Sequence, residues 1–240
     1  MTGSLKDLIQ NSGSLVFFGG AGTSTESSIP DFRSSGGLYR TDEGYSYPPE
    51  HMLSHTFFME NTEEFFKFYR AKMIYRDAVP NKAHLALAEL EKRGRLKAVV
   101  TQNIDGLHQM AGSRKVLELH GSVHRNFCMQ CGESHDLDDI VKSGGIVPQC
   151  RKCGGIVKPD VVLYEEALDT RVVDESVSYI SRADMLIVGG TSLAVYPAAG
   201  LIEYFKGDKL VLINKSETPY DSRADLVIHD SIGKVLDDVL

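Results

Sequence analysis

The sequence predicts an α/β protein built on a doubly wound, Rossmann-like parallel sheet with a small module inserted into it. Short apolar and β-branched runs alternate with helical segments, which is typical of a parallel sheet flanked by helices. A glycine-rich turn directly follows the first of these runs. All four cysteines fall within residues 128–153, in a stretch with few apolar side chains, which indicates a module stabilised by a metal.

The predicted elements follow this alternation along the chain. The predicted strands share short length and an apolar, β-branched composition: 14–18, 96–101, 116–119, 161–163, 185–188, 209–213 and 225–228. Helical spacing predicts helices over 57–73, 83–92 and 171–181, and glycines and prolines predict a loop over 36–49. We therefore expect a Rossmann-like domain made of 1–35, 81–123 and 159–240. The small domain would combine a helical insertion, 36–80, with a cysteine-containing insertion, 124–158.

The composition limits the possible functions. The chain of 240 residues has a net charge of −7 and no block of lysine or arginine, which disfavours a general nucleic-acid binder. Its apolar runs are far shorter than the roughly 20 residues of a membrane helix, and the N-terminus lacks the apolar region of a secretory signal. We therefore expect a cytoplasmic protein with no membrane partner, in which clustered cysteines bind a metal and do not form disulfides.

The turn at residues 19–24 contains three glycines and stands where parallel sheets bind a diphosphate through backbone amides and a helix N-terminus. The same glycines could form only a tight turn. Thr25 occupies the position of the third glycine of the dehydrogenase fingerprint, which disfavours hydride transfer. The following loop, 29–34, could close over a bound cofactor or remain solvated with Phe32 as its anchor.

Polar side chains follow several predicted strands, at the carboxyl edge of the sheet where ligands bind. Residues 101–105 supply two amides and a carboxylate, which could recognise a carboxamide or only cap the next helix. His120 closes the strand at 116–119 and could act as a general base or be structural. Residues 189–193 and Asn214 add hydroxyls and an amide suited to ribose and phosphate groups.

The cysteines form two C-x-x-C pairs, Cys128 with Cys131 and Cys150 with Cys153, separated by 18 residues. This spacing is typical of a structural zinc site. Four thiolates complete a tetrahedral shell and leave no position for water, so we expect one structural Zn²⁺. His124 lies near enough to Cys128 in the sequence to be an alternative ligand.

Together these motifs resemble the sirtuin (Sir2) family of NAD-dependent protein deacetylases, of the bacterial type. The resemblance covers nearly the whole chain in order and spacing. It is carried by residues 20–24, 30–34, 101–105, His120 with Gly121, the two C-x-x-C pairs and 190–193. The resemblance implies that NAD is a substrate: the acyl oxygen of an acylated lysine attacks the nicotinamide ribose and nicotinamide leaves. The other products would be free lysine and O-acyl-ADP-ribose.

The resemblance also implies roles for individual residues. His120 would act as the base toward a ribose hydroxyl, and acetylated lysine side chains of proteins would be the second substrate. The residues expected to contact NAD are Ala21, Thr25, Phe32, Arg33, Gln102, Ile104, Asp105, His120, Thr191, Ser192, Asn214, Ser231 and Ile232.

The sequence departs from the family pattern at two positions, because Ser28 and Glu165 stand where glycine is usual. If Glu165 needs a glycine-like conformation, pairing with the substrate backbone would be altered. Family members that prefer succinyl or malonyl groups also resemble one another in a Tyr-x-x-Arg pair. Here Tyr69 is followed by Lys72, and Arg70 would face about 200° away from that position on a helix. Since lysine lacks the planar fork that grips a carboxylate, we expect a preference for acetyl-lysine.

Two other functions are compatible with the motifs. A mono-ADP-ribosyltransferase would activate NAD in the same way but transfer the ribose to a protein side chain, and only the mass of the product separates the two. A zinc-ribbon interaction module that merely senses NAD would need no general base, so His120 disfavours it.

Overall fold

Strands and helices alternate along most of the protein, for which the computed structural model describes residues 4–32, 37 and 47–240. The strands are β1 (Leu15–Gly19), β2 (Leu96–Thr101), β3 (Val116–Glu118), β4 (Gly121–Cys128), β5 (Ser134–His135), β6 (Val157–Val161), β7 (Met185–Gly189), β8 (Lys209–Ile213) and β9 (Leu226–Ile228). The α-helices are α1 (Leu5–Gln10), α2 (Pro49–Met52), α3 (His55–Glu60), α4 (Thr62–Lys72), α5 (Lys82–Lys92), α6 (Leu107–Met110), α7 (Leu137–Val141), α8 (Thr170–Arg182) and α9 (Ile232–Asp237). Within those described ranges, every helix is too short or too polar to cross a membrane.

The central sheet has six parallel strands in the order β3-β2-β1-β7-β8-β9. Every residue of β1 and β7 is buried, because apolar clusters cover both faces of the sheet. Val16 and Phe18 point into one cluster, and Leu15 and Phe17 point into the other. The predicted doubly wound, Rossmann-like class is confirmed.

A second, antiparallel sheet of three strands, in the order β5-β4-β6, belongs to the small module. Its apolar cluster joins Phe57, Phe65 and Phe66 of the helical insertion to Cys128 and Val157 beside the cysteines. The helical and cysteine-containing insertions therefore share one core. The exact residues at which the small domain begins and ends stay a prediction, and the antiparallel sheet itself extends from β4 to the end of β6.

Two predicted elements are wrong. The strand predicted at 161–163 does not join the central sheet, because Val161 is the last residue of β6 and pairs with Gly121 of the antiparallel sheet. A short apolar run cannot indicate which of two sheets it will enter. The helix predicted over 57–73 is split into α3 and α4 at Asn61, whose backbone (φ −131°, ψ 47°) is not helical.

The remaining predictions of secondary structure agree with the structure. The other six strands and two helices differ from their predicted bounds by at most one residue at either end. Pro49, the last residue of the predicted loop, instead begins α2, where its fixed φ suits the first helical position. Most of that loop, like Arg33, lies outside the described residues.

Candidate functional site

The glycine turn after β1 packs against the loop after β7, at the carboxyl edge of the central sheet. The chain continues into two short 3₁₀ turns, Ala21–Thr23 and Thr25–Ser27, instead of the helix N-terminus expected from the sequence. The amide of Gly22 donates to the carbonyl of Gly190 at 2.8 Å, and a Cβ on Gly22 would lie 2.8 Å from the Cα of Gly190. The glycine at this position is therefore required by contact between two loops, and that contact brings both loops to one site.

The residues predicted from the first loop lie on the wall of one large cavity. Ala21, Thr25 and Phe32 all line it. The hydroxyl of Thr25 donates to the carbonyl of Gly22 at 3.0 Å, which ties the two 3₁₀ turns together. Phe32 also packs against the apolar cluster of the small module, so this loop connects the two parts of the protein.

The amides and carboxylate after β2 form a hydrogen-bonded network with that loop. Asn103 donates to the hydroxyl of Ser24 at 3.0 Å, and this hydroxyl donates to Asp105 at 2.6 Å. The second oxygen of Asp105 accepts from the amide of Leu107 at 2.9 Å, so the helix-capping role also exists. Gln102 reaches across the site and donates to the hydroxyl of Thr191 at 3.0 Å. Gln102, Ile104 and Asp105 all line the cavity.

His120 lies on the cavity wall between β3 and β4. Its Nδ1 donates to the carbonyl of Gln102 at 2.9 Å, and because a carbonyl can only accept, Nε2 carries the lone pair. Burial lowers the pKa of His120, and the hydrogen bond to Gln102 opposes that effect only in part. The imidazole is therefore neutral at pH 7 and able to accept a proton at Nε2.

The far end of the cavity is built from the loops after β7 and β8. Asn214 accepts from the amide of Thr191 at 2.9 Å, while its own side-chain NH₂ is buried with no partner among the described residues. Thr191, Ser192, Asn214 and Ile232 line the cavity, whereas Ser231 is not part of the described cavity wall. An orphaned buried donor in such a wall fits a polar ligand.

The cavity has a volume of about 1220 Å³, which exceeds the roughly 300–1,000 Å³ typical of pockets for drug-sized ligands. It therefore has room for a dinucleotide and part of a second molecule. Sequence analysis missed Val195, Tyr196 and Lys215 on its wall. Their positions a few residues beyond Thr191 or next to Asn214, at the ends of parallel strands, were the available signal.

The two positions that depart from the family pattern both keep a glycine-like backbone. Ser28 has φ 63° and Glu165 has φ 75°, in the left-handed region that side chains rarely adopt. Both residues therefore have a backbone conformation that favours glycine, although neither is a glycine.

The four cysteines converge in the small module. Their sulfur atoms all lie within 4.8 Å of one another, with Cys128 and Cys153 at 3.4 Å and Cys131 and Cys150 at 3.7 Å. These separations exceed the roughly 2.05 Å of a disulfide and fit the edges of about 3.8 Å expected of a tetrahedron with Zn–S bonds of about 2.3 Å. The cysteines are therefore positioned to bind a zinc ion. His124 is occupied elsewhere, because its Nε2 donates to the carbonyl of Asp105 at 3.0 Å.

A parallel sheet with a dinucleotide-sized cavity at its carboxyl edge, beside a four-cysteine module, defines a Rossmann-type nucleotide-binding protein with a structural zinc site. The model of the Sir2 family matches residues 20–197, and the chain belongs to the Sir2 family. The predicted family is thereby confirmed.

The chain is similar to named proteins over almost its whole length. It is 67% identical to the NAD-dependent protein deacetylase of Clostridium acetobutylicum, covering 98% of this chain and 96% of that protein. It is 57% identical to the NAD-dependent protein deacetylase of Cutibacterium acnes, covering 98% of this chain and 96% of that protein. Among solved structures, Sir2 with a p53 peptide and NAD⁺ is 39% identical, with a TM-score of 0.85 and 97% and 94% covered. Sir2 bound to an acetylated peptide is 38% identical, with a TM-score of 0.86 and the same coverage.

Proposed function

We propose that this chain is an NAD-dependent protein-lysine deacetylase, which transfers the acetyl group of acetyl-lysine to ADP-ribose and releases nicotinamide and O-acetyl-ADP-ribose. The observation that carries this proposal is His120, a neutral imidazole with its lone pair on Nε2, on the wall of a cavity with room for a dinucleotide and a side chain. The activity named for the relatives supports it.

In the proposed reaction, the acyl oxygen of acetyl-lysine attacks the nicotinamide ribose and nicotinamide leaves. Nε2 of His120 accepts the proton of a ribose hydroxyl, and that oxygen then attacks the acyl carbon. Addition of one water and release of the lysine amine leave the acetyl group as an ester on ADP-ribose. The carbonyl of Gln102 holds the ring through Nδ1 and stabilises the imidazolium that forms. Because burial lowers the pKa of His120, the base is unprotonated at neutral pH.

We further propose that the polar residues at the sheet edge bind NAD. The cofactor loop would contribute Ala21, Thr25, Phe32 and Arg33, the pocket around the nicotinamide and its ribose would contain Gln102, Ile104, Asp105 and His120, and the adenosine half would contact Thr191, Ser192, Asn214, Ser231 and Ile232. The Ser24 hydroxyl and the Asn103 amide would orient Asp105 from behind. The zinc ion would be structural, because four thiolates leave no open coordination position.

The proposed substrates are acetylated lysines of other proteins, in the cytoplasm, with neither nucleic acid nor membranes as partners. Four cysteines arranged for a metal suit a reducing compartment. A net charge of −7 suits basic protein partners better than phosphate backbones.

The test is incubation with NAD and an acetylated peptide, followed by mass spectrometry of both products. We expect O-acetyl-ADP-ribose and a peptide lighter by one acetyl group. His120→Ala should lower deacetylation by about 10²- to 10⁴-fold, which is the usual contribution of a positioned general base. NAD binding, measured by calorimetry, should persist in the variant.

The matched control is His51→Ala, because His51 is an exposed histidine outside the described cavity wall. It should retain turnover close to that of the unchanged protein. A peptide made heavier by ADP-ribose would instead identify a mono-ADP-ribosyltransferase. Turnover of His120→Ala within tenfold of the control would show that His120 is not the base.

A further inference from the structure

Residues 162–166 line the same cavity as His120. The amide of Val162 donates to the carbonyl of His120 at 3.0 Å, so this segment begins directly beside the base. Ala21, Thr25 and Phe32 lie on another part of the cavity wall, and residues 192 and 195–197 contribute a further part. Tyr164 and Glu165 are the exposed side chains among residues 162–165 of the cavity wall. We call this exposed part of the wall the mouth of the cavity.

Glu165 is held in place at this mouth by the first turn of α3. One oxygen of its carboxylate accepts from the amide of Thr56 at 2.9 Å and from the hydroxyl of Thr56 at 2.7 Å. These two bonds lower the pKa of Glu165, so its carboxylate is charged at neutral pH. The same two bonds fix the side chain of Glu165, whose backbone, at φ 75°, is in a conformation that favours glycine.

The negative charge of Glu165 is not neutralised by a described cation, whereas that of its neighbour is. Glu166 pairs with the buried amine of Lys158 at 3.1 Å and also contacts His55 at 2.9 Å. His51 and His55 are the further titratable groups that act on Glu165. Residues 192–197 contain no charged side chain. The described mouth therefore has a net negative charge at Glu165, with the aromatic ring of Tyr164 beside it.

We infer that Glu165 is a specificity-determining residue, which makes the enzyme prefer acetyl-lysine sites flanked by lysine or arginine. The inference rests on the proposed deacetylase function. A cation two or three residues from the acetyl-lysine would approach the Glu165 carboxylate from solvent. A flanking glutamate would be repelled by the same charge.

The experiment compares three acetylated peptides that are identical except for arginine, alanine or glutamate at the positions two residues before and two residues after the acetyl-lysine. The measured quantity is the ratio of kcat/KM for the arginine peptide to that for the glutamate peptide. We expect a ratio of about fivefold or more at low salt, from charge pairs of the strength usual at protein surfaces. The ratio should shrink at high salt because exposed charges are screened.

Two variants and one control separate the effect of the Glu165 charge from the effect of the Glu165 backbone conformation. Glu165→Gln keeps a side-chain acceptor for Thr56 but removes the charge, and Glu165→Gly also relieves the backbone. Both should lower the ratio by about threefold, whereas Glu63→Gln, at an exposed site of α4 outside the described cavity wall, should preserve it. A ratio that is unchanged in both Glu165 variants, or changed only by glycine, overturns the inference. Turnover of the alanine peptide tests the deacetylase function separately.

Discussion

Tyr69 and Lys72 lie one turn apart on α4 but have different surroundings. Tyr69 is fully buried, its ring stacks on Phe65 at 5.5 Å, and its hydroxyl has no hydrogen-bond partner among the described residues. Lys72 lines the cavity. Arg70 points to the other side, where its guanidinium donates to the carbonyl of Ile140 at 3.0 Å and to Ser143 at 2.6 Å. Helix α4 therefore contributes a lysine and no arginine to the described cavity wall.

We predict that acetyl-lysine is preferred over succinyl-lysine on one peptide sequence. A lysine cannot replace the two parallel hydrogen bonds that arginine makes to a carboxylate. Because charge-assisted hydrogen bonds contribute about 1.5–3 kcal/mol each, kcat/KM should be at least about tenfold higher for the acetyl peptide. The matched variant Lys72→Arg should narrow this difference. Comparable or higher kcat/KM for the succinyl peptide would contradict the assignment of Lys72.

The conformations of Ser28 and Glu165 could not be predicted from the sequence. The absence of glycine at Ser28 and Glu165 was visible in the sequence, but the conformation that each would adopt was not. Glu165 keeps φ 75° while its carboxylate bonds Thr56, which is 109 residues away in the chain. Such a distant partner leaves no local pattern to detect.

The small module is the element whose stability depends most on a ligand. Cys128 and Cys150 belong to its apolar cluster, and a Cβ on Gly155 would lie 3.0 Å from the sulfur of Cys128. The chain at Gly155, just before β6, thus packs closely against Cys128 at the end of β4. With the metal removed, the cysteines would lose the bonds that hold the ends of this module together.

We predict one zinc per chain, and we expect its removal or Cys128→Ser to lower the melting temperature before it affects the chemistry. Metal content by mass spectrometry and thermal melting by circular dichroism provide the measurements. Met129→Ser is the matched control, because Met129 is half-exposed between two ligands and binds no metal in this scheme. Protein that is metal-free, fully folded and active would refute the structural role.

Elements were predictable to the extent that their own residues determine them. The strands β1 and β7 were predictable from their apolar composition alone, because a strand buried on both faces shows no alternation of polar and apolar residues. It was predictable that most of the candidate site residues would line one cavity, because parallel strands bring their carboxyl ends to one edge of the sheet. The sheet that Val161 joins was not predictable, because its pairing with Gly121 depends on how the cysteine module folds back.

At the scale of the whole molecule, two buried histidines connect the α5 and α6 helices behind the cavity. The rings of His84 and His108 lie 4.7 Å apart, and both nitrogens of His108 are without partners among the described residues. Burial lowers the pKa of His84 to about 4 and that of His108 to about 3. Both are therefore neutral in the folded protein at every pH above 5.

We predict that the free energy of unfolding falls as the pH drops below 6.5. Above that pH both states are neutral at these histidines; below it, the unfolded chain binds protons that the folded chain excludes. Each histidine contributes up to about 1.4 kcal/mol per pH unit. Urea unfolding between pH 7 and 5 measures the slope. His108→Phe should reduce the dependence of the unfolding free energy on pH, whereas His51→Ala should preserve it. Equal slopes in the unchanged protein and both variants would contradict the prediction.

The strand order has a consequence for synthesis of the chain on the ribosome. Although β1 is near the N-terminus, it lies inside the sheet between β2 and β7. One edge of this apolar strand stays unpaired until residue 189 of 240 has emerged, and until then Gly22 has no Gly190 to meet. The growing chain therefore holds an exposed, aggregation-prone strand edge until β7 has emerged, which is the kind of surface that chaperones shield.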